Sequence, residues 1–129
     1  MSNVKMPIKL NILSSLRCCD NEMVLPLADA TAKRVADLLK ALAHPARLQI
    51  LDILSQHAGE ICACDFEGLV GLPDKESGQR PKQPTISHHL RVLRKAGLIE
   101  SKKHGLWVHY FIRREQLEQV QSLLNRFLK

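Results

Sequence analysis

Two cysteines one residue apart, Cys62 and Cys64, have the side chains in this sequence best suited to bind a soft ion. Thiolate sulfur favours soft metals and metalloids. A second pair, Cys18 and Cys19, lies upstream, and these four are all the cysteines of the chain. We predict an ion site built from Cys62 and Cys64, to which Cys18 and Cys19 add one or two thiolates from a second copy of the chain. The same vicinal pair could instead form a strained disulfide or lie in the core without a role in binding.

The spacing of Cys62 and Cys64 poses a geometric problem, because we predict a short helix that begins near Cys62 or Asp65 and ends near Gly71. Residues two apart on an α-helix point about 200° away from each other. Both thiols can bind one ion only if the start of the helix is bent or frayed. Ion binding should therefore strain or reorient this helix.

The ligand set bears on which ion is bound. Trivalent arsenic and antimony take three thiolates, cadmium and lead accept three or four, and zinc prefers four tetrahedral ligands. No His or carboxylate stands out as a partner, so softness favours As(III), Sb(III), Cd(II) or Pb(II) over nickel and cobalt. His57 is a further candidate ligand, although a single His at such a place is more often a surface residue. No permanently bound cofactor is predicted.

A second group of polar residues, downstream of the cysteines, suits DNA recognition. Residues 84–97 predict a helix with Ile86, Leu90 and Leu93 on one face. The opposite face carries short polar and basic side chains near the N-terminal half, the end that meets base edges in helix-turn-helix proteins. The predicted DNA-binding residues of this segment are Gln83, Thr85, Ser87, His88 and Arg91.

A predicted β-hairpin follows this helix, with strands over 98–101 and 106–112. A basic tip can reach an adjacent phosphate or the minor groove, although Lys is also common on exposed sheet edges. Trp107 and Tyr110 are expected to pack the hairpin on the core. The predicted DNA-binding residues of the tip are Lys102, Lys103 and His104.

The remaining elements position these two groups. Apolar spacing predicts helices over 29–43, 45–56 and 115–128, and the polar, aperiodic stretch 71–82 predicts a loop. We expect residues 1–26 to form an N-terminal segment, with a short helical stripe and the first cysteine pair, and residues 27–129 to form one domain. The second helix should turn four residues inward: Leu48, Leu51, Ile53 and Leu54.

Composition narrows the function. The chain has 129 residues, a net charge of +6 and a pI of about 9.4, which favours a polyanionic partner, with nucleic acid first. There is no apolar run of membrane-spanning length and no signal-peptide pattern. We therefore expect no membrane partner and a cytoplasmic location, where free thiols bind metal or respond to redox rather than staple the fold.

The order of helices, loop, recognition-type helix, hairpin and last helix is that of a winged helix-turn-helix. Five segments carry a family resemblance: LAHPARLQIL (42–51), EICACD (60–65), QPTISHHLRVL (83–93), GLI (97–99) and GLWVHY (105–110). In register, they resemble the ArsR/SmtB family of arsenic- and metal-responsive winged-helix repressors. The resemblance covers roughly residues 30–128.

The resemblance implies a mainly α, homodimeric protein with a β-hairpin wing. Such a repressor binds an inverted-repeat operator in double-stranded DNA as the apo dimer and leaves it when an ion binds. The C-x-C of Cys62 and Cys64 matches the thiol-sensing branch, whereas an N-terminal pair such as Cys18 and Cys19 occurs only in some thiol sensors. Two features depart from the family: the loop 71–82 is long, and the last helix lacks the Asp and His residues of a zinc site.

Three other functions compete with this one. A redox-sensing repressor on the same scaffold, switched by a disulfide, is compatible with the sequence. A thiol arsenate reductase needs Arg six positions after its nucleophilic cysteine, and the chain has Val24, Leu25, Gly68 and Val70 there. We therefore predict no enzyme activity. Metal storage is disfavoured because most of the chain forms a DNA-binding framework.

Overall fold

A computed structural model describes residues 25–57 and 61–129. Cys18 and Cys19, and with them nearly all of the predicted segment 1–26, lie outside these residues. No helix within the described ranges is long and apolar enough to cross a membrane. The elements in chain order are α1 (Asp29–Leu42), α2 (Pro45–Gln56), β1 (Ile61–Cys62), a 3₁₀ helix (Ala63–Phe66), α3 (Gln83–Lys95), β2 (Ile99–His104), β3 (Trp107–Ile112) and α4 (Arg114–Phe127).

This order confirms the predicted winged helix-turn-helix, in which α3 is the recognition-type helix and the β2–β3 hairpin is the wing. The first two helices are divided by His44 and Pro45. The Nδ1 atom of His44 accepts a hydrogen bond from the backbone N–H of Ala46 at 3.1 Å and so caps α2. Pro45 occupies the first turn of α2, where its missing N–H has no intrahelical partner to lose.

The core is aliphatic apart from Phe66, and α3 turns Ile86, Leu90 and Leu93 into it as predicted. The prediction for α2 was wrong at Leu48, whose side chain is 54% exposed. Leu48 lies two residues before the fully buried Ile50, about 200° away round the helix. The other buried residues of the core cluster are Val35, Leu38, Ala41, Leu51, Leu54, Val70, Leu98, Ile99 and Val120.

The three strands form one antiparallel sheet in the order β1-β3-β2. The central strand β3 pairs with β2 from Ile99↔Ile112 to His104↔Trp107. Tyr110 packs against the core as expected, but Trp107 is 59% exposed, so that its predicted core packing was wrong. Trp107 is the first residue of β3, next to the hairpin turn and at the end of the strand remote from its core-packed residues.

The prediction of a third helix, from Cys62 or Asp65 to Gly71, was wrong, because a short strand and a 3₁₀ turn begin this segment instead. Ile61 and Cys62 are extended and pair with β3, and only one 3₁₀ turn follows before the backbone becomes extended again at Glu67 (φ −63°, ψ 131°). Gly68 has a φ of +84°, in the left-handed region that a continuing right-handed helix cannot use.

The predicted loop between the 3₁₀ helix and α3 is locally folded. The Asp74 carboxylate accepts backbone N–H bonds from Glu76 and Ser77 at 3.0 and 2.8 Å. At the base of the loop, the Gly71 carbonyl accepts a hydrogen bond from the Arg80 guanidinium at 2.6 Å. The two ends of the loop are thereby held together where the chain enters α3.

Candidate thiol site and nucleic-acid interface

The thiols of Cys62 and Cys64 converge. Their Sγ atoms are 2.7 Å apart, and Asp65 brings a carboxylate oxygen within 4.8 Å of both. Convergence is achieved because Cys62 has extended backbone (φ −106°, ψ 170°) and precedes the 3₁₀ turn that carries Cys64. The bent start that the sequence analysis required is therefore present, and the 200° divergence of an α-helix does not apply.

The sulfur separation suits two kinds of chemistry. A disulfide needs about 2.05 Å between sulfurs, and two thiolates on a tetrahedral ion at about 2.3 Å would be about 3.8 Å apart. From 2.7 Å, either arrangement is reached by a side-chain movement of about 1 Å or less. Because Cys64 and Asp65 are exposed and Cys62 is half-buried, an ion from solvent has direct access.

The pKa of the Cys64 thiol is raised above its ordinary value. The main cause is its hydrogen bond with the Cys62 side chain, followed by loss of hydration and by the negative charges of Cys62 and Asp65. A thiol that keeps its proton can donate it to its neighbour, so the two sulfurs share a hydrogen bond in the absence of an ion. Ion binding instead displaces the proton, because the ligand is the thiolate.

The segment that carries both cysteines, β1 with the 3₁₀ helix (61–66, the thiol turn), is joined to α3 in two ways. Glu67, the residue after the 3₁₀ helix, accepts a hydrogen bond through Oε2 from the backbone N–H of Gln83 at 3.1 Å. Phe66, the last residue of the 3₁₀ helix, is fully buried in the core to which α3 contributes. The segment that carries Cys62 and Cys64 is therefore in direct contact with the N-terminal end of α3.

The predicted DNA-binding residues fall into two groups on two neighbouring elements. Five lie in the N-terminal two-thirds of α3, where Ser87 is half-buried and the other four are exposed. Three lie exposed at the end of β2, where Lys102 also covers the Phe111 ring with its Nζ 5.3 Å from the centroid. The five on α3 are Gln83, Thr85, Ser87, His88 and Arg91; the three on the wing are Lys102, Lys103 and His104.

A histidine–arginine cluster was missed by the sequence analysis. His89 is only 5% exposed, its Nδ1 accepts a hydrogen bond from Arg47 Nε at 3.1 Å, and its ring centroid lies 4.2 Å from that of His44. Arg47 also donates to the Ala41 carbonyl at 3.3 Å, so the cluster joins α1, α2 and α3. The sequence does carry a signal for the burial of His89. This residue lies at helical spacing from Ile86, Leu90 and Leu93 and therefore belongs to the core face of α3.

Burial changes the acid–base behaviour of this cluster. Loss of hydration first, and then the neighbouring His44, Arg47 and His88, lower the pKa of His89 to about 4. The imidazole is therefore neutral at pH 7, which leaves its Nδ1 lone pair free to accept the Arg47 bond. A neutral His89 is part of what fixes α3 against the first two helices.

Comparison with known proteins places α3 in a defined sequence family. The profile described as bacterial regulatory protein, arsR family, matches residues 82–101, which span α3 and the start of the wing. The matched segment contains Ile86, Leu90 and Leu93 of the core face together with the predicted DNA-binding residues of α3.

Three curated relatives extend the match beyond this segment. The arsenical resistance operon repressor of Staphylococcus xylosus is 37% identical over 93 residues, which is 72% of this chain and 79% of the relative. A cadmium resistance transcriptional regulatory protein CadC homologue of Staphylococcus aureus is 32% identical over 94 residues, 73% of this chain and 69% of the relative. The biofilm growth-associated repressor of Agrobacterium fabrum is 34% identical over 103 residues, 80% of this chain and 79% of the relative.

A solved structure agrees with the architecture. The homodimeric winged helix-turn-helix DNA-binding domain of a Mycobacterium bovis protein, determined in solution by NMR, is similar with a TM-score of 0.54. The match has 27% sequence identity and covers 81% of this chain and 90% of that domain.

Proposed function

Because the chain belongs to the arsR family of bacterial regulatory proteins, and is thus a DNA-binding transcriptional regulator and not an enzyme, we propose that it is an ion-responsive repressor. The apo protein binds operator DNA and leaves it when a soft metal or metalloid ion binds Cys62 and Cys64. One observation carries the proposal: two thiols 2.7 Å apart lie on a turn that is hydrogen-bonded, through Glu67, to the start of α3.

The proposed inducer is As(III) or Sb(III), with Cd(II) or Pb(II) as the alternative. Paired thiolates favour all four, since each is soft. The relatives support this group of ions, because one is named for arsenical resistance and another for cadmium resistance. As(III) needs a third thiolate, and we propose that Cys18 or Cys19 of the partner subunit supplies it.

The proposed DNA contact is made by α3 in the major groove and by the wing on the adjacent phosphate backbone. A net charge of +6 supports a polyanionic partner. We propose a cytoplasmic homodimer on an inverted repeat in double-stranded DNA, with half-site centres about one helical turn, roughly 34 Å, apart. The apolar face of α4 supports dimerisation, since Leu124 is 48% and Phe127 65% exposed in the single chain.

Release follows from the coupling of the two sites. An ion shifts the equilibrium between DNA-binding and released conformations only by its differential affinity for the two. The bound ion replaces the two thiol protons and is held by the two thiolates. Cys62 and Cys64 must then separate from 2.7 Å, and we propose that the 3₁₀ turn shifts with them and weakens the bond from Gln83 to Glu67 at the start of α3.

A redox-sensing repressor is the second candidate, because the same sulfur separation also suits a disulfide. The names of the relatives favour the ion-responsive candidate, since one is named for arsenical resistance and another for cadmium resistance. The two candidates differ in which reagent releases the DNA.

The test is operator release by wild type and by the Cys62→Ser, Cys64→Ser double variant, titrated with arsenite, cadmium and peroxide. We expect arsenite or cadmium to release the wild type and to leave the double variant bound. Cys18→Ser, Cys19→Ser is the comparison variant, which should bind the ion more weakly but bind DNA normally without it. Release of the Cys62→Ser, Cys64→Ser variant at wild-type ion concentrations would overturn the site, and release by peroxide alone would support the redox candidate.

A further inference from the structure

The sheet register sets an imidazole beside the thiol site. Cys62 of β1 is the direct cross-strand partner of His109 of β3. We propose that His109 is a further ligand of the site, recruited by divalent cations that take four ligands, such as Cd(II) and Zn(II), and unused by As(III). The inference rests on the proposed thiol site and adds to it a connection to the wing.

The geometry of the pair favours a shared ion. Directly opposed residues of an antiparallel pair project from the same face, with Cβ atoms about 4.5–5.5 Å apart. The neighbouring pair, Ile61 and Tyr110, packs against the core, so the alternation along each strand sends Cys62 and His109 to the other face. A sulfur and a ring nitrogen on such a pair can meet one ion, at about 2.3 and 2.1 Å, without a change of strand register.

In the present structure the His109 ring is engaged elsewhere. It is half-buried and stacks on His104, with the ring centroids 4.6 Å apart and the planes 27° from parallel. The ligand atoms that already lie within 4.8 Å of one another belong to Cys62, Cys64 and Asp65. Recruitment of His109 therefore requires rotation of its side chain away from His104.

The need for another ligand depends on the ion. Tetrahedral divalent ions take four ligands, and imidazole nitrogen suits them well. Asp65 is a constrained metal ligand, because its Oδ2 already accepts a hydrogen bond from the backbone N–H of Cys62 at 3.0 Å. On binding, each thiol releases its proton to solvent and His109 contributes the lone pair of one ring nitrogen. As(III) completes its set with thiolates and leaves His109 stacked.

Recruitment would give a divalent ion a second connection to the DNA-reading surface. Lys102, one of the predicted phosphate contacts, is the cross-strand partner of His109 on its other side. His104, another, loses its stacking partner when His109 turns. Divalent ions would then act on the wing through His109 as well as on α3 through Glu67, whereas As(III) acts on α3 alone.

The test uses full-length protein labelled with nitrogen-15 on its histidines and loaded with cadmium-113. We expect one His109 ring nitrogen to show direct coupling to the bound cadmium in the wild type. His109→Gln should weaken Cd(II) binding, followed by thiolate-to-metal charge-transfer absorbance, by about 10–100-fold or more. It should leave arsenite affinity unchanged. His104→Gln is the comparison variant; because it removes the ring on which His109 stacks, it should bind Cd(II) at least as tightly as the wild type.

Absence of cadmium coupling at His109, together with wild-type Cd(II) affinity in His109→Gln, would overturn the inference. The Cys62→Ser, Cys64→Ser variant separates this result from a failure of the proposed function. If that variant loses Cd(II) while His109→Gln does not, the thiol site stands and only the role of His109 is lost. If both variants bind like the wild type, the thiol site is wrong as well.

Discussion

His89 makes the position of α3 sensitive to acid. Its imidazole is buried and neutral, and it accepts a hydrogen bond from Arg47, so protonation inside the fold is unfavourable. The pKa falls from an ordinary 6.5 to about 4 in the folded protein, primarily because of burial. The unfolded chain therefore binds a proton more readily than the folded chain does, and lowering the pH favours unfolding.

The sign and size follow from these two values. A depressed folded pKa contributes stability that is fully present above pH 6.5 and is lost as the pH falls toward about 4. One pKa unit corresponds to about 1.4 kcal/mol, so the whole contribution is of the order of 3 kcal/mol. About 2 kcal/mol of it should be lost by pH 5. That is a large part of the ~5–15 kcal/mol stability of an ordinary domain.

The assay is urea unfolding of wild type, His89→Gln and His88→Gln at several pH values between 7 and 4.5. Gln at position 89 can still accept the Arg47 bond and does not titrate, so the difference from wild type isolates the imidazole. His88→Gln, exposed on the same helix, removes only the smallest of the influences that lower the pKa of His89 and should keep most of the wild-type pH dependence. If wild type and His89→Gln lose stability in parallel from pH 7 to 4.5, the reasoning about His89 is wrong.

Three further predictions follow from other parts of the structure. Arg91→Ala should cost about 1–3 kcal/mol in operator binding and relax base preference, measured against mutated operators, whereas a uniform loss for all sequences would make Arg91 a phosphate contact. Gly71→Ala should destabilise the fold by about 1–3 kcal/mol in urea unfolding, because φ is +83° and a Cβ there would overlap Pro81. Gly78→Ala, with φ +72° and open space around it, should cost less, and equal losses would refute the steric explanation. Sedimentation should show a dimer that Phe127→Glu weakens, and a wild-type monomer at micromolar concentration would contradict the proposed dimer.

The four α-helices of the described residues were predictable because their apolar spacing reports burial directly. The predicted bounds of α2, 45–56, coincide with the observed Pro45–Gln56, and the core face of α3 was read correctly at Ile86, Leu90 and Leu93. Both helices bury a stripe against one core, so the period of 3.6 residues is visible in the sequence.

The thiol turn was less predictable because its conformation depends on distant residues. β1 has two residues, and its extended backbone is fixed by pairing with Tyr110 and His109, almost fifty residues later. A strand this short carries no period of its own. The burial of His89 likewise depends on Arg47, 42 positions away, which supplies the partner that a buried polar side chain needs.

The central claim is that the ion site and the DNA site are coupled. The most direct measurement is the affinity of arsenite and of cadmium for the full-length protein, free and saturated with operator DNA. Linkage requires that operator weaken ion binding by the same factor by which the ion weakens operator binding, typically about 5–150-fold. We predict such a reciprocal loss for whichever ion is the inducer. Equal ion affinity in the free and operator-bound protein, for both ions, would contradict the account.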